Sequence, residues 1–273
     1  MITHNGKYLS AATHHGMPIV AATMGGKMVF RTWLLFATQQ AIVAAFGAEG
    51  TEVIAKTNDY LNQIATTDPQ RALLLAGFIN EDPMLVTSLV ETSKTRWLVG
   101  DGKAYINTEY YPQYADIISL GMIVEQIGPS WSGCRKYPNY QFAIGNNSSQ
   151  QRMFLGFSDK SVYLSTFDYW NIPAIYTIDK DGAYINEEKI TSWSASSINS
   201  EMSFTLFARN DSYSNGIVPA PSPIFMFKSP IREMYPFIRN GENGMLDIIS
   251  GTFYPNANTQ GSFTIALTPK TTS

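Results

Sequence analysis

From about residue 96 to residue 268 the chain repeats one plan: a short run of alternating apolar and polar residues, a turn signal, then another such run. A period of two sends successive side chains to opposite faces of a strand, so each run has one face to bury. Leu120, Met122 and Val124 fall on one side, with Gly121, Ile123 and Glu125 on the other. Tyr140, Phe142 and Ile144 repeat the pattern, as do Val162, Leu164 and Thr166. Ile175-Tyr176-Thr177-Ile178 and Ala183-Tyr184-Ile185-Asn186 flank Asp181-Gly182, which predicts a hairpin closed by a type I′ turn. Further strands are predicted at 203–208, 224–227, 245–249 and 262–267. Many short strands with no helices between them point to a two-sheet sandwich.

Two regions of different period precede it. In residues 1–31, the turn dipeptides Asn5-Gly6, His15-Gly16 and Gly25-Gly26 separate strand-like runs at 7–11, 18–22 and 27–30. They predict a small β-meander that buries too little to be stable alone, and so serves as an anchoring module. Residues 32–95 switch to a helical period. One helix is expected over 32–46, stopped by Gly47, and another over 51–65 with Ile54, Thr57, Leu61 and Ile64 along one stripe. Pro69 and Pro83 each mark a first helical turn, behind Asp68 and Asp82. These helices carry few charges. Ile54, Leu61 and Ile64 therefore read either as internal core or as a seam that joins copies and anchors the chain. The expected organisation is a meander over 1–31, a helical section over 32–95 and a sandwich over 96–273, with the last boundary near 94–97.

Charge and cysteine content narrow the function. Only 15% of the residues are charged, against about 25% in ordinary soluble domains. The net charge is −3 with no basic stripe, which argues against a nucleic-acid partner. Cys134 is the one cysteine, so neither an intrachain disulfide nor a cysteine-based zinc site is expected, and a small buried side chain is. The start shows no basic and apolar leader pattern, and the apolar stretch 33–46 is broken by Thr38, Gln39 and Gln40. The expectation is a chain made in a cytoplasm with no membrane span. His4, His14 and His15 lack the spacing of a metal site, and no phosphate-binding glycine loop occurs, so neither metal nor cofactor is expected. No Asp-x-Asp-x-Asp-Gly loop suggests calcium.

Glycoside hydrolysis needs two facing carboxylates about 5 to 10 Å apart. The available pairs fit poorly: Glu187 and Glu188 are sequence neighbours, Glu109 and Asp116 straddle Pro112, and Asp179 and Asp181 sit at a hairpin tip. Sugar binding, which uses aromatic faces and amide or carboxylate groups, has better candidates. Trp131, Tyr137 and Tyr140 follow a Gly-Pro-Ser loop, and Asn146 and Asn147 end a strand. Trp170 lies between Tyr169 and Asn171, and Asn210 and Asp211 precede Ser212-Tyr213. The same residue types also populate protein interfaces and cores.

Two stretches carry a resemblance. Residues 100–108, Gly-Asp-Gly-Lys-Ala-Tyr-Ile-Asn-Thr, are similar to the opening strand of concanavalin-like, laminin-G-like domains in gut bacteriophage proteins, with Ala104 and Asn107 departing from its usual Gln and Asp. Residues 238–263 resemble that family's closing signature through Gly241, Gly244-Met245, Asp247, Phe253-Tyr254, Asn256 and Gly261. The N-terminal turns are similar to short leader modules on such proteins. The resemblance implies a jelly-roll, lectin-like sandwich on a head or tail fibre or appendage of a phage of gut Bacteroidales, as in the crAss-like group. It further implies a homotrimer, other virion proteins as partners, and attachment or assembly rather than catalysis. A free carbohydrate-binding lectin of a gut bacterium is the alternative, and a glycosidase the third reading. Read physically, the signature glycines mark sharp turns, and Asp247 has the chemistry to satisfy turn amides.

Overall fold

In a computed structural model, the described residues are 2–4, 7–9, 13–14, 17–18, 21–24, 27–31, 33–125, 130–136, 140–147, 152–164, 168–212 and 216–270. The chain divides into two units, Met1–Thr92 and Ser93–Ser273. The first begins with three antiparallel hairpins: β1 (Ile2–His4) with β2 (Lys7–Leu9), β3 (Thr13–His14) with β4 (Met17–Pro18), and β5 (Ala21–Met24) with β6 (Lys27–Arg31). The strand expected over 18–22 is divided between two hairpins. Among the described residues each hairpin pairs only within itself, so three ribbons stand where one meander was expected. The three turn dipeptides lie outside the described residues.

The helices are α1 (Phe36–Phe46), α2 (Gly50–Thr67), α3 (Pro69–Glu81) and, after a 3₁₀ turn over Pro83–Leu85, α4 (Val86–Leu89). Asp68 caps α3 by accepting from Arg71 N at 2.9 Å, and Asp82 caps the 3₁₀ turn through Met84 N. The first helix starts four residues later than its composition suggests. The Asn80 side chain explains this: its oxygen accepts from Leu35 N and Thr38 Oγ1, and its nitrogen donates to the Trp33 carbonyl. On α2 the buried line is Gly50, Val53, Thr57, Leu61 and Ala65. Leu61 is fully buried, which corrects its assignment to a seam between copies: it has no surface left to offer. Ile54 and Ile64 flank that line half-buried. Among the described residues no single helix is long and apolar enough to cross a membrane.

The second unit runs β7 (Lys94–Gly100), β8 (Ile106–Asn107), β9 (Ile118–Ile123), β10 (Trp131–Lys136), β11 (Tyr140–Asn147), β12 (Arg152–Ser158) and β13 (Lys160–Leu164). It continues with β14 (Pro173–Asp179), β15 (Gly182–Ile185), β16 (Glu188–Ser192), β17 (Thr205–Leu206), β18 (Ala208–Asp211) and β19 (Gly216–Pro219). β20 (Ile224–Ser229), β21 (Arg232–Arg239), β22 (Glu242–Asp247), β23 (Phe253–Tyr254) and β24 (Phe263–Pro269) complete it. One sheet has the order β13-β12-β11-β10-β18-β19, and the other β16-β15-β14-β9-β20-β21-β22-β23 with β7 and β24 beside β20. The fold is the mainly antiparallel β-sandwich that the alternation predicts, preceded by a helical section. Phe142, Ile144, Leu155 and Phe157 from the first sheet join Leu120, Met122, Tyr176 and Phe227 from the second in one core. Each such side chain contributes roughly 1.5–3 kcal/mol of burial free energy. Thr166 lies outside the described residues.

The β14–β15 hairpin forms as expected but closes differently. Asp179 pairs with Gly182, which leaves Lys180 and Asp181 at the tip, and neither Asp181 nor Gly182 has a positive φ. The Asp179 carboxylate organises the turn instead, accepting from Asp181 N at 2.7 Å and Gly182 N at 2.9 Å. Gly182 is required for space: a Cβ there would lie 2.3 Å from the Thr191 carbonyl on β16.

The two stretches that carry the resemblance meet at one end of the sandwich. Asp101 accepts from Lys103 N, Ala104 N and Ser262 N, and Asn258 Nδ2 donates to the Lys103 carbonyl. Asp247 is fully buried and accepts from Glu233 N, Ile249 N and Ser250 Oγ, the turn-holding role its position suggests.

Candidate functional site

The outward face of the larger sheet carries a cleft of about 670 Å³, a size in the usual range for small-ligand sites. Strand alternation builds it. Leu98 on β7 points into the core, so Thr95, Trp97 and Val99 point out, and their β24 partners Thr268, Ala266 and Thr264 follow the same register. Trp97 forms the floor. It is almost fully buried, its Nε1 donates to Thr268 Oγ1 at 2.9 Å, and its ring meets Phe225 edge-on at 5.0 Å. Phe225 crosses β9 at Gly121, where a Cβ would come within 2.5 Å of the ring. Ile123, Pro173, Ile172 and Tyr169 extend the apolar lining.

The rim is polar: Asp168, Asn171, Asn186 and Lys270 are all exposed. The backbone fixes their places. Asn171 takes the left-handed conformation with φ 60° and donates its N–H to the Val124 carbonyl at 3.0 Å. Asn186, at φ 48°, clasps Ile175 by exchanging two hydrogen bonds with its backbone. An apolar floor with amide, carboxylate and ammonium groups at its edge matches the two faces of a sugar, whose C–H groups pack on aromatic rings and whose hydroxyls need polar partners. Asp168 is the one carboxylate among the described lining residues, whereas the glycosidase mechanism uses two. Among the described residues no cluster of His, Cys, Asp and Glu is arranged to hold a metal.

The residues singled out from sequence do not converge here. Trp131, half-exposed, stands on the outward face of the smaller sheet beside Phe154. Tyr140 is core: it is 5% exposed and its hydroxyl accepts from Glu201 N at 2.6 Å. Asn146 is fully buried, accepting from Ser130 N and donating to the Glu125 carbonyl, so it holds backbone rather than ligand. Asp211 is fully buried and ion-paired with Arg135 and Arg209. Half-buried Asn210 donates to the Ser203 carbonyl, and half-buried Trp170 packs on the core. Those assignments as sugar contacts are corrected for Tyr140, Asn146 and Asp211, whose burial leaves no surface for a ligand. Tyr137 and the Asn147 side chain lie outside the described residues.

In the Tyr169-Trp170-Asn171 loop, Trp170 turns inward while its two neighbours line the cleft. Trp97 and Phe225 escaped notice. The available signal was Trp97 itself, a large apolar residue out of phase with core-facing Leu98.

No known family model matches the chain, and no curated protein matches it. Among solved structures, a Bacteroides ovatus protein provisionally described as carbohydrate binding is similar at 10% sequence identity and a TM-score of 0.43. The similarity covers 66% of this chain and 61% of that one, less than two thirds of that protein's length.

Proposed function

We propose that this protein is a lectin-like contact module whose binding site is the cleft floored by Trp97 and Phe225, and that it serves as a component of a phage particle. The observation that carries the binding role is the cleft itself: an apolar floor rimmed by Asp168, Asn171, Asn186 and Lys270. The virion role, the homotrimer and contact with other virion proteins or a host surface glycan are supported by the resemblance of residues 100–108 and 238–263 to phage proteins. With one carboxylate in the described lining, contact rather than hydrolysis is the favoured chemistry.

A glycan array with wild-type protein and a Tyr169→Ala variant tests the binding role. Binding should weaken at least about tenfold when the aromatic wall is removed. Undiminished binding by both Tyr169→Ala and a folded Phe225→Ala variant would place the site elsewhere. Mass spectrometry of purified particles separates a virion component from a free bacterial lectin. Polysaccharide turnover lost on Asp168→Asn would replace the binding role with an enzymatic one.

A further inference from the structure

We infer that the free edge of β24 is a seam at which two copies of this chain pair, antiparallel and about a two-fold axis at Ala266, so that their larger sheets join. Among the described residues β24 pairs only with β7. The phase of that ladder is fixed at both ends: Asp101 N donates to the Ser262 carbonyl at 3.2 Å, and Lys270 N to the Ser93 carbonyl at 2.8 Å. Even-numbered residues of β24 therefore direct their main-chain groups at β7, and odd-numbered ones point theirs away. At Phe263 the outward carbonyl already accepts from Asn243 Nδ2 at 2.8 Å. At Pro269 the outward N–H does not exist. Between these two stops, Ile265 and Leu267 each present an N–H and a C=O with no main-chain partner among the described residues.

This opening is its own complement. An antiparallel copy centred on Ala266 sets Ile265 opposite the partner's Leu267, so that the two exchange both hydrogen bonds, and the symmetric pair does the same. An axis at Ile265 would instead set Leu267 opposite the carbonyl that Asn243 uses, and an axis at Leu267 would set Ile265 opposite Pro269. The side chains agree with the register. Ile265 and Leu267 lie on the core side, half-buried, and each covers the other's apolar flank. On the outward side Ala266 meets its own copy, small against small. Charge agrees too: the same register sets Lys270 opposite the partner's Ser262, whose N–H and hydroxyl are held by the Asp101 carboxylate at 2.8 and 3.2 Å. Lys270 and Asp101 are both exposed.

Long uncharged edges invite pairing and are normally blunted. The other edges here are blunted: β16 carries Glu188 and Lys189, β13 carries Lys160, β19 ends in Pro219 and β23 has two residues. β24 runs Phe-Thr-Ile-Ala-Leu-Thr-Pro with no charge. Pairing leaves the Trp97 cleft open, because Ala266 and Thr268 still face outward, and it brings the partner's Thr264 beside Thr268. The partner thus adds to the lining, and the two Trp97 floors lie roughly 15 Å apart, three strand spacings. That double surface suits an extended chain that enters both clefts, a consequence that rests on the cleft being the binding site. The pairing itself does not rest on it. Nor does it depend on the trimer proposed above, since it joins sandwiches two by two.

Sedimentation of the full chain and oxidation of cysteine variants test the seam. By roughly 100 µM, wild-type protein should reach an even number of copies, two alone or six with a three-fold assembly, the weak affinity that a short interface gives. Ala266→Lys and Ala266→Glu each set like charges opposite one another. Each should weaken self-association at least about tenfold, and mixing the two should restore it. Ala266→Cys should oxidise to linked pairs of chains, since directly opposed residues at a non-hydrogen-bonded site are close enough for a disulfide. Thr264→Cys, exposed on the same face but displaced from the axis, should not link, and Cys134 is buried and adds no background. Single copies at that concentration, an odd stoichiometry, no rescue on mixing, or equal linking of the two cysteine variants overturns the inference. No ligand enters these measurements, so a failed glycan array is read separately.

Discussion

Asn256 Oδ1 accepts a hydrogen bond from the Tyr105 amide at 3.1 Å, joining two residues 151 positions apart. The same side chain accepts from Asn258 N at 3.0 Å and donates to the Gly261 carbonyl at 2.7 Å. One amide therefore clasps the opening segment of the sandwich to its closing segment. Asn256→Ala strands the Tyr105 N–H and the Gly261 carbonyl together. Unfolding in urea should show a loss of about 1–3 kcal/mol, the cost of partly buried groups left unpaired. A loss under about 0.5 kcal/mol, the ordinary surface range, would mean that water replaces the clasp.

Gly121 and Phe225 make a second such pair, this time in the cleft. A methyl group at residue 121 would sit 2.5 Å from the Phe225 ring. Gly121→Ala should lower stability by about 1–3 kcal/mol, the usual cost of overpacking, and should shift ligand affinity as the ring is displaced. Thermal melts with the glycan titration measure both. An unchanged melting temperature would show that the ring yields freely.

Cys134 is fully buried, and its thiol lies 3.3 Å from Ser200 Oγ. Burial pushes it up to about 12, against the Ser200 hydroxyl and the Phe142 backbone, which both favour the thiolate. The thiolate is the reactive form. Native protein at pH 8 should therefore consume a thiol reagent no faster than it unfolds, and denatured protein should react at once. Rapid labelling of the native state would contradict the buried placement.

How much of this was legible in the sequence follows from which interactions are local. The alternation of Leu120, Met122 and Val124 belongs to one short extended segment, and all three are buried as expected. The Asp68-Pro69 cap is local too. The late start of α1 is not, because the capping Asn80 is 45 residues from Leu35. Nor is Gly182 read correctly from its dipeptide: its need for a missing side chain comes from Thr191 on the next strand. The candidate sites depended on whether an aromatic or amide faced out. Asn146 looks like a ligand-binding amide until Ser130 and Glu125 are found beside it.

Asp159 offers a test of pH dependence. Burial works against its ionisation, but Ser196 N and Oγ, each at 2.7 Å, and Lys160 at 3.1 Å outweigh that and hold it down at about 2. An unfolded Asp titrates at about 3.9. The folded state therefore gains stability from the ionised group at pH above about 4, and that gain disappears as pH falls from about 4 to about 2. Asp159→Asn removes the titration. Wild-type protein should melt higher than the variant at pH 7, and the gap should close between about pH 4 and pH 2. The contribution is screened because the group is near the surface, so the shape of the gap against pH is the informative quantity. A gap that stays constant down to pH 2 would show that Ser196 does not grip the carboxylate more tightly than the protonated acid.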